Sequence, residues 1–160
     1  MPSTSTRKTW NEKLHHSAPG YPKKVDIPDN WAAKIGKGKM IILTPLIIDS
    51  YIKKIPRGRL ATINSIREHF AKEYKVRTTC PITTGIFTWI SAWAAEEKKA
   101  EGSKRITPYW RVLKEGGKLN PKYPGGVVQQ SKNLMAEGFQ IKKGRTQASW
   151  KVVDADSYIH

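Results

Sequence analysis

Apolar residues recur at three- and four-residue intervals in three stretches of the middle of the chain, which is the spacing of one helix face. Thr44-Pro45 is typical of a helix start, and Pro56-Arg57-Gly58 of a helix end. A second helix is predicted after Thr62, and a third from Cys80-Pro81 into the charged run Glu96 to Lys99. The apolar positions of the three helices are, in order, Leu46, Ile47, Tyr51, Ile52 and Ile55; Ile63, Ile66, Phe70 and Tyr74; and Ile82, Ile86, Trp89, Ile90 and Trp93.

The third helix has two chemically different faces. Its apolar stripe is predicted to face the core, and the opposite face carries only small hydroxyl side chains: Thr83, Thr84, Thr88 and Ser91. Such a face can lie in a DNA groove and bond phosphates and base edges, although a plain solvated face gives the same pattern. The short connection between the second and third helices indicates a helix-turn-helix.

The C-terminal third has shorter elements. Tyr109 to Leu113 predicts a short strand, and the glycine-rich Tyr123-Pro124-Gly125-Gly126 leads into a helix that Gly138 closes. Phe139 to Lys142 and Ala148 to Val153 predict a hairpin, which is either a basic wing on DNA or an ordinary edge hairpin. The sequence therefore predicts a mainly α fold with small β-hairpins.

The N-terminal quarter is rich in Pro, Gly, Ser and Lys, and its apolar residues are scattered. This composition predicts an extended arm with a short helix near Asp29 to Ile35, and full disorder is the alternative. The chain is thus divided into a basic N-terminal arm (1–39), a central domain (40–139) and a C-terminal β-hairpin extension (140–160).

The net charge is the strongest indication of the kind of partner, because 29 Lys and Arg against 13 Asp and Glu leave a formal net charge of +16. A surplus of this size attracts polyanions, which include DNA, RNA, an anionic membrane face and an acidic protein. The apolar runs are too short for a membrane span, and no apolar segment of the signal-peptide kind follows Arg7-Lys8, so neither is expected. The single cysteine, Cys80, fits a reducing cytoplasm, and without a Cys/His cluster or a phosphate loop neither a metal nor a cofactor is expected.

Four motifs, in order, resemble the C-terminal DNA-binding domain of alkylguanine-DNA (methylated-DNA–protein-cysteine) alkyltransferases. Ile55 to Thr62 is similar to the segment that opens the family's helix-turn-helix. Pro108-Tyr109-Trp110-Arg111-Val112 stands where the family has Pro-Cys-His-Arg-Val. Tyr123 to Gly126 resembles its Tyr-Ser-Gly-Gly turn, and Leu134 to Gly138 its Leu-Leu-x-x-Glu-Gly helix end. The resemblance implies a winged-helix-like helix-turn-helix domain of the alkyltransferase C-terminal type.

The resemblance also implies that alkyl transfer is lost. The family transfers an alkyl group to its motif cysteine, and this needs a thiolate. In the family a histidine and a glutamate activate this cysteine through water. Tyr109 stands at the cysteine position and Trp110 at the histidine position, so that of these three residues only the glutamate, Glu137, remains. This pattern resembles the non-enzymatic alkyltransferase-like proteins. Tyr109, Trp110, Tyr123 and Glu137 would form a vestigial base pocket, in which the aromatic rings either stack on a base or fill the space.

The expected partners are double-stranded DNA, with alkylated guanine as the candidate lesion, and other repair proteins. No membrane contact is expected. The protein is expected to be a monomer in the cytoplasm, associated with the nucleoid if it is bacterial. No arginine lies on the third helix to replace a flipped base, which leaves base flipping open. The predicted DNA contacts are Arg59, Thr62, Arg67, Thr83, Thr84, Thr88, Arg111 and Lys114, with Lys104 and Arg105 as further phosphate contacts.

Three other functions stay open at this point. The first is a general transcriptional or architectural DNA-binding protein without lesion preference. The second is an enzyme that transfers an alkyl group to Cys80, which stands at a predicted helix start. The third is a protein-interaction domain whose basic surface meets an acidic partner.

Overall fold

The computed structural model describes residues 8–160, of which about half are helical, and it confirms a mainly α fold with small sheets. The predicted central helices are confirmed, as is the helix that follows Gly125-Gly126. No helix in the described range has both the length and the hydropathy that crossing a bilayer requires. The α-helices are α1 (Trp10–His15), α2 (Asp29–Ile35), α3 (Pro45–Lys53), α4 (Ile63–Glu73), α5 (Pro81–Ala100) and α6 (Gly126–Ala136).

The strands form three small sheets. β1 (Lys23–Asp26) is antiparallel to β2 (Lys39–Ile42), and β2 is parallel to β4 (Thr78–Thr79). β3 (Ala61–Thr62) runs parallel to β5 (Val112–Leu113), while β6 (Ile141–Lys142) and β7 (Lys151–Val152) form the predicted C-terminal hairpin. The strand expected over 109–113 is shorter than predicted, since Tyr109–Arg111 is a 3₁₀ turn.

Side-chain caps fix the starts of the two helices that precede α5. The Thr44 hydroxyl accepts a hydrogen bond from the Ile47 backbone N–H (3.3 Å), and Pro45 fills the first helical position. Thr62 and Ser65 form a reciprocal capping box at the start of α4. These helices then bury one face each in a common core that contains Ile48, Ile52, Ile66 and Phe70.

The orientation of α5 is the opposite of the predicted one. Thr84, Thr88 and Ser91 are at most 1% exposed, whereas Ile82 is 56% and Ile86 44% exposed. The threonine hydroxyls are satisfied within the helix, because Thr84 donates to the Cys80 carbonyl (2.7 Å) and Thr88 to the Thr84 carbonyl (2.8 Å). The small face can therefore pack closely against α3, and the prediction that Thr84 and Thr88 contact DNA is wrong.

A buried carboxylate explains the remaining polarity of the inner face of α5. Asp49 of α3 is 1% exposed, and its Oδ1 accepts hydrogen bonds from the hydroxyls of Ser91 (2.6 Å) and Thr107 (2.8 Å). Its Oδ2 lies 3.1 Å from Lys53 Nζ. Asp49 thus joins α3 to α5 and to the segment before the 3₁₀ turn, as a buried charge that is paired and hydrogen-bonded.

Residues 8–39 are folded on the rest of the chain and do not form an extended arm. The Trp10 ring lies 5.1 Å from Trp89 and 5.7 Å from Trp93 of α5, centroid to centroid. The short helix predicted near Asp29 is confirmed as α2, and β1 pairs with β2 across the predicted boundary at residue 39. Val25, Ile27, Trp31 and Ile35 of this segment share one small cluster with Met40 and Cys80, although they come from different elements and show no single periodicity. The division into three domains stays a prediction.

One carboxylate holds α1 on α5. Glu97 accepts hydrogen bonds from the backbone N–H groups of Trp10 (3.0 Å) and Asn11 (3.1 Å) and from the Asn11 side chain (2.8 Å). Burial raises the pKa of Glu97, but the hydrogen bonds from Asn11, Trp10 and Thr9 outweigh burial, so that the pKa lies below its ordinary value of 4.5. The charged form therefore stabilises the contact between the two helices.

We expect α1 to loosen in acid because of this group. A carboxyl whose pKa is lowered by folding stabilises the fold fully above its unfolded pKa, and this contribution is lost as the pH falls through the lowered folded pKa. The protection factors of the Trp10 and Asn11 amides, which compare exchange with that of an unfolded chain at the same pH, should therefore fall below about pH 4.5. In a Glu97→Gln variant, which does not titrate at this position, exchange should be faster at neutral pH and lack this acid step. An identical acid step in both proteins would contradict the assignment.

Candidate functional site

Three of the four motifs meet at one buried ion pair. Arg111 Nε lies 2.9 Å from Glu137 Oε1, and Arg111 Nη2 donates to Glu137 Oε2 at 3.0 Å. Trp110 Nε1 donates to the same carboxylate (2.6 Å), and Arg111 Nη1 donates to the Ile55 carbonyl (2.7 Å). The Arg111 and Glu137 side chains are only 13% and 4% exposed. Glu137 is thus committed to Arg111 and Trp110. Arg111 uses three of its five N–H donors inside the fold, which argues against the prediction that it contacts phosphate.

The residue at the motif cysteine position, Tyr109, lies in a closed aromatic cluster. It is 0% exposed, and its ring centroid lies 5.3 Å from those of Trp110 and Tyr123, in edge-on geometry. Its hydroxyl donates to Glu96 Oε1 (2.7 Å), and the Tyr123 hydroxyl donates to the Val112 carbonyl (2.9 Å). Tyr109 and Tyr123 therefore pack against Ala92 and Ala95 of α5, and neither can stack on a base without moving.

Electrostatics exclude Tyr109 as a nucleophile at neutral pH. Burial raises the pKa of the Tyr109 hydroxyl, and the hydrogen bond to Glu96, the charge of Glu96 and Tyr123 raise it further. Burial also raises the pKa of Tyr123. Both phenols stay protonated, and a neutral phenol is a poor alkyl acceptor.

The other predicted DNA contacts are placed as follows. Arg59 and Lys114 are exposed, as are Lys104 and Arg105. Arg67 donates to the Thr79 carbonyl (3.0 Å) and to Thr78 Oγ1 (2.9 Å), so that it holds α4 to β4. The roles of Thr62, which caps α4, and of Thr83, which is half-buried, stay untested predictions.

The most exposed face of α5 was not among the predicted contacts. Ile82 and Ile86 project from its first turns, and a side chain added at Gly85 would meet nothing within 4 Å. Beside them runs a largely apolar groove of about 490 Å³ between α5 and the glycine-rich turn, with Trp93 Nε1 donating to the Lys122 carbonyl (2.9 Å). The groove is lined by Gly85, Ile86, Trp89, Trp93, Pro121, Lys122 and Tyr123. The apolar stripe itself was visible in the sequence, but its periodicity does not show whether it faces the core or the solvent.

Fold and site together define a strongly basic, mainly α protein in which Tyr109 is buried beside the Arg111–Glu137 ion pair. No protein-family model matches the chain, and no curated protein sequence matches it significantly. A structural likeness was found to the crystal structure of S. pombe Atl1 in complex with damaged DNA containing O6-carboxymethylguanine. The two chains are 16% identical, the likeness covers 72% of this chain and 93% of the other, and the TM-score is 0.49. At this identity the likeness concerns the fold alone.

Proposed function

We propose that this chain is a DNA-binding protein of the alkyltransferase-like type that performs no alkyl transfer. The observation that carries the proposal is the outward face of α5, where Ile82 and Ile86 stand exposed on the first two turns and Gly85 lies half-buried between them. Proteins that bind the minor groove often place apolar side chains against or between base steps, and a glycine between them allows close approach of the backbone. On a chain of net charge +16, apolar groups exposed in this way are better explained by contact with a duplex than by exposure to solvent alone.

Exposed cations supply the phosphate contacts in this proposal. Lys122 lines the groove beside α5, and Lys104 and Arg105 follow the C-terminal end of the same helix. Arg59 and Lys114 are exposed as well and are further candidates for phosphate contacts. Each neutralised phosphate releases counterions, so such contacts dominate affinity whatever the base sequence.

The burial of the two candidate alkyl acceptors, Tyr109 and Cys80, supports the absence of alkyl transfer in this proposal. Tyr109 is buried, hydrogen-bonded and protonated. Cys80 is 4% exposed and packs with Ile27 and Met40, which keeps its sulfur away from any bound base. Incubation with labelled alkylated DNA should therefore leave the protein mass unchanged, and an adduct on Cys80 would refute this part of the proposal.

Salt dependence tests duplex binding directly. If about six phosphates are neutralised, the logarithm of the association constant should fall with the logarithm of salt concentration at a slope near −5. Fluorescence anisotropy of a labelled duplex over a range of salt concentrations measures this slope. A flat response, or no binding at low salt, would favour an acidic protein partner instead.

We further propose that an alkylated guanine, if extruded from the duplex, enters the groove of about 490 Å³ between α5 and Pro121–Tyr123, because the aromatic cluster beyond it is closed. The same closed cluster favours the alternative, a general DNA-binding protein without lesion preference. Duplexes with and without one alkylguanine separate the two: at least tenfold tighter binding of the lesion supports recognition, and equal affinity supports the alternative. Lys122→Ala should reduce both affinities by a similar factor. Contact with other repair proteins, a monomeric state and a cytoplasmic location stay predictions.

A further inference from the structure

A second cavity lies on a different side of α5. It is open on one side, measures about 420 Å³ and is bordered by α1, the segment 16–21, the junction of β2 with α3, and α5. Its apolar lining comes mainly from Leu43, Pro45, Phe87 and Ile90. Its volume lies within the range of about 300–1,000 Å³ that is usual for small-molecule sites.

The helical period separates this cavity from the proposed DNA face. Residues 83, 87 and 90 of α5 line the cavity, whereas residues 82, 86, 89 and 93 form the outward stripe. At about 100° per residue the two sets lie roughly a quarter turn apart. The buried threonine and serine face is a third sector. A ligand in the cavity therefore need not touch the surface proposed to meet DNA.

The polar groups of the cavity are cationic or neutral. Lys8, Lys13 and His16 contribute to its lining, and no Asp or Glu does so among the described residues. Lys8 Nζ lies 3.2 Å from His16 Nδ1, and Lys13 Nζ lies 4.2 Å from the centroid of the Trp10 ring. Lys13 belongs to α1 and Lys8 precedes it, so that both lysines lie at one side of the apolar lining.

One further polar group in the lining has no partner among residues 8–160. The Thr83 hydroxyl oxygen is buried and makes no hydrogen bond within that range, unlike the Thr84 and Thr88 hydroxyls one and five residues further along, which bond helix carbonyls. Buried polar atoms without partners are uncommon in folded proteins, because desolvation is not compensated. A hydrogen-bonding group brought into the cavity would remove this penalty.

We propose that the cavity binds a small amphipathic anion: an apolar chain or ring against Leu43, Phe87 and Ile90, with its anionic group toward Lys8, Lys13 and His16. The apolar lining favours a ligand with an apolar chain or ring, and the cationic side chains favour a negatively charged headgroup. Carboxylates and phosphate monoesters share this chemistry, and the experiment below separates them.

Calorimetric titration of the full chain with four ten-carbon probes tests the proposal: decanoate, decyl phosphate, decanol and decyltrimethylammonium. We expect one saturable site for an anionic probe, with affinity at least tenfold above those of decanol and decyltrimethylammonium. The ratio of decanoate to decyl phosphate identifies the preferred headgroup. Equal binding of the cationic probe, many weak sites, or no anionic binding would overturn the proposal.

Two variants localise the site. Ala18 lines the cavity and is exposed, so Ala18→Trp should fill the space without disturbing the core and reduce anion affinity at least tenfold. Lys13→Gln should reduce it at least threefold while leaving decanol binding unchanged. DNA affinity should stay within twofold in Ala18→Trp, so failure of this proposal is distinguishable from failure of DNA binding. Anion binding that Ala18→Trp does not weaken would place the ligand elsewhere and refute the site.

Discussion

Replacing Glu137 with alanine is expected to lower the free energy of unfolding by about 3–5 kcal/mol, because it leaves the Arg111 guanidinium buried without its counter-charge. The Arg111 side chain is only 13% exposed, so water cannot replace the lost carboxylate fully. Trp110 Nε1 would lose its acceptor as well. Since small domains are stable by about 5–15 kcal/mol, much of the fold's stability depends on this one carboxylate. Chemical denaturation followed by tryptophan fluorescence measures the change.

Two variants show whether the uncompensated charge is the cause. Glu101→Ala removes an exposed glutamate and should change stability by no more than about 0.5 kcal/mol. Replacing both partners, with Arg111→Met and Glu137→Leu, should restore part of the loss because no unpaired buried charge remains. If Glu137→Ala cost less than about 1 kcal/mol, or if the double variant were the least stable of all, the structural role of the pair would be wrong.

This pair illustrates what a motif match can and cannot predict. The four motifs placed Arg111 and Glu137 at family positions, and the family pattern gave Glu137 a part in activating a cysteine. With tyrosine and tryptophan at the two neighbouring positions, the same carboxylate instead accepts from Trp110 and pairs with Arg111. The sequence separation of the two partners hides the contact, because no local pattern links residue 111 to residue 137.

The central helices could be predicted because their signals are local. Thr44 and Thr62 cap the helices that follow them, and the apolar residues of α3 and α4 face one core with ordinary helical spacing. The C-terminal hairpin was equally predictable, since both of its strands lie within a short, alternating segment. In each case the residues that determine the element are close neighbours in the chain.

Which face of α5 is turned toward the core could not be predicted, because it depends on residues far away in sequence. Trp89 and Trp93 are partly covered by Trp10, which lies in a segment whose apolar residues show no period. The inner face takes threonines because their hydroxyls bond the carbonyls of the same helix, and it takes Ser91 because Asp49 lies opposite. Side-chain polarity alone therefore assigned the wrong face to the interior. The corrected orientation is what moves the candidate interface from the threonines to Ile82 and Ile86.

The pair of substitutions Ile82→Glu and Ile86→Glu is expected to weaken duplex binding at least about 100-fold, which corresponds to about 2.7 kcal/mol. Two carboxylates would face the phosphates where apolar groups now stand, and like charges brought together at an interface cost several kcal/mol. Both isoleucines are exposed, at 56% and 44%, so the fold should keep its stability. Fluorescence anisotropy with a labelled duplex, at one fixed salt concentration, gives the two affinities.

A matched control separates the local effect from the change in net charge. Leu46 of α3 and Met135 of α6 are 37% and 55% exposed, and the pair Leu46→Glu and Met135→Glu adds the same two charges outside the α5 face. This pair should weaken duplex binding by no more than about threefold, which is the scale expected for exposed charges far from the contacts. The pair Ile82→Lys and Ile86→Lys then distinguishes the two ways in which α5 can act. If the face only approaches phosphates, the lysines should raise affinity; if the isoleucines press against base steps, the lysines should lower it, because the apolar contact is lost. A loss of less than threefold in the glutamate pair would mean that this face does not meet DNA.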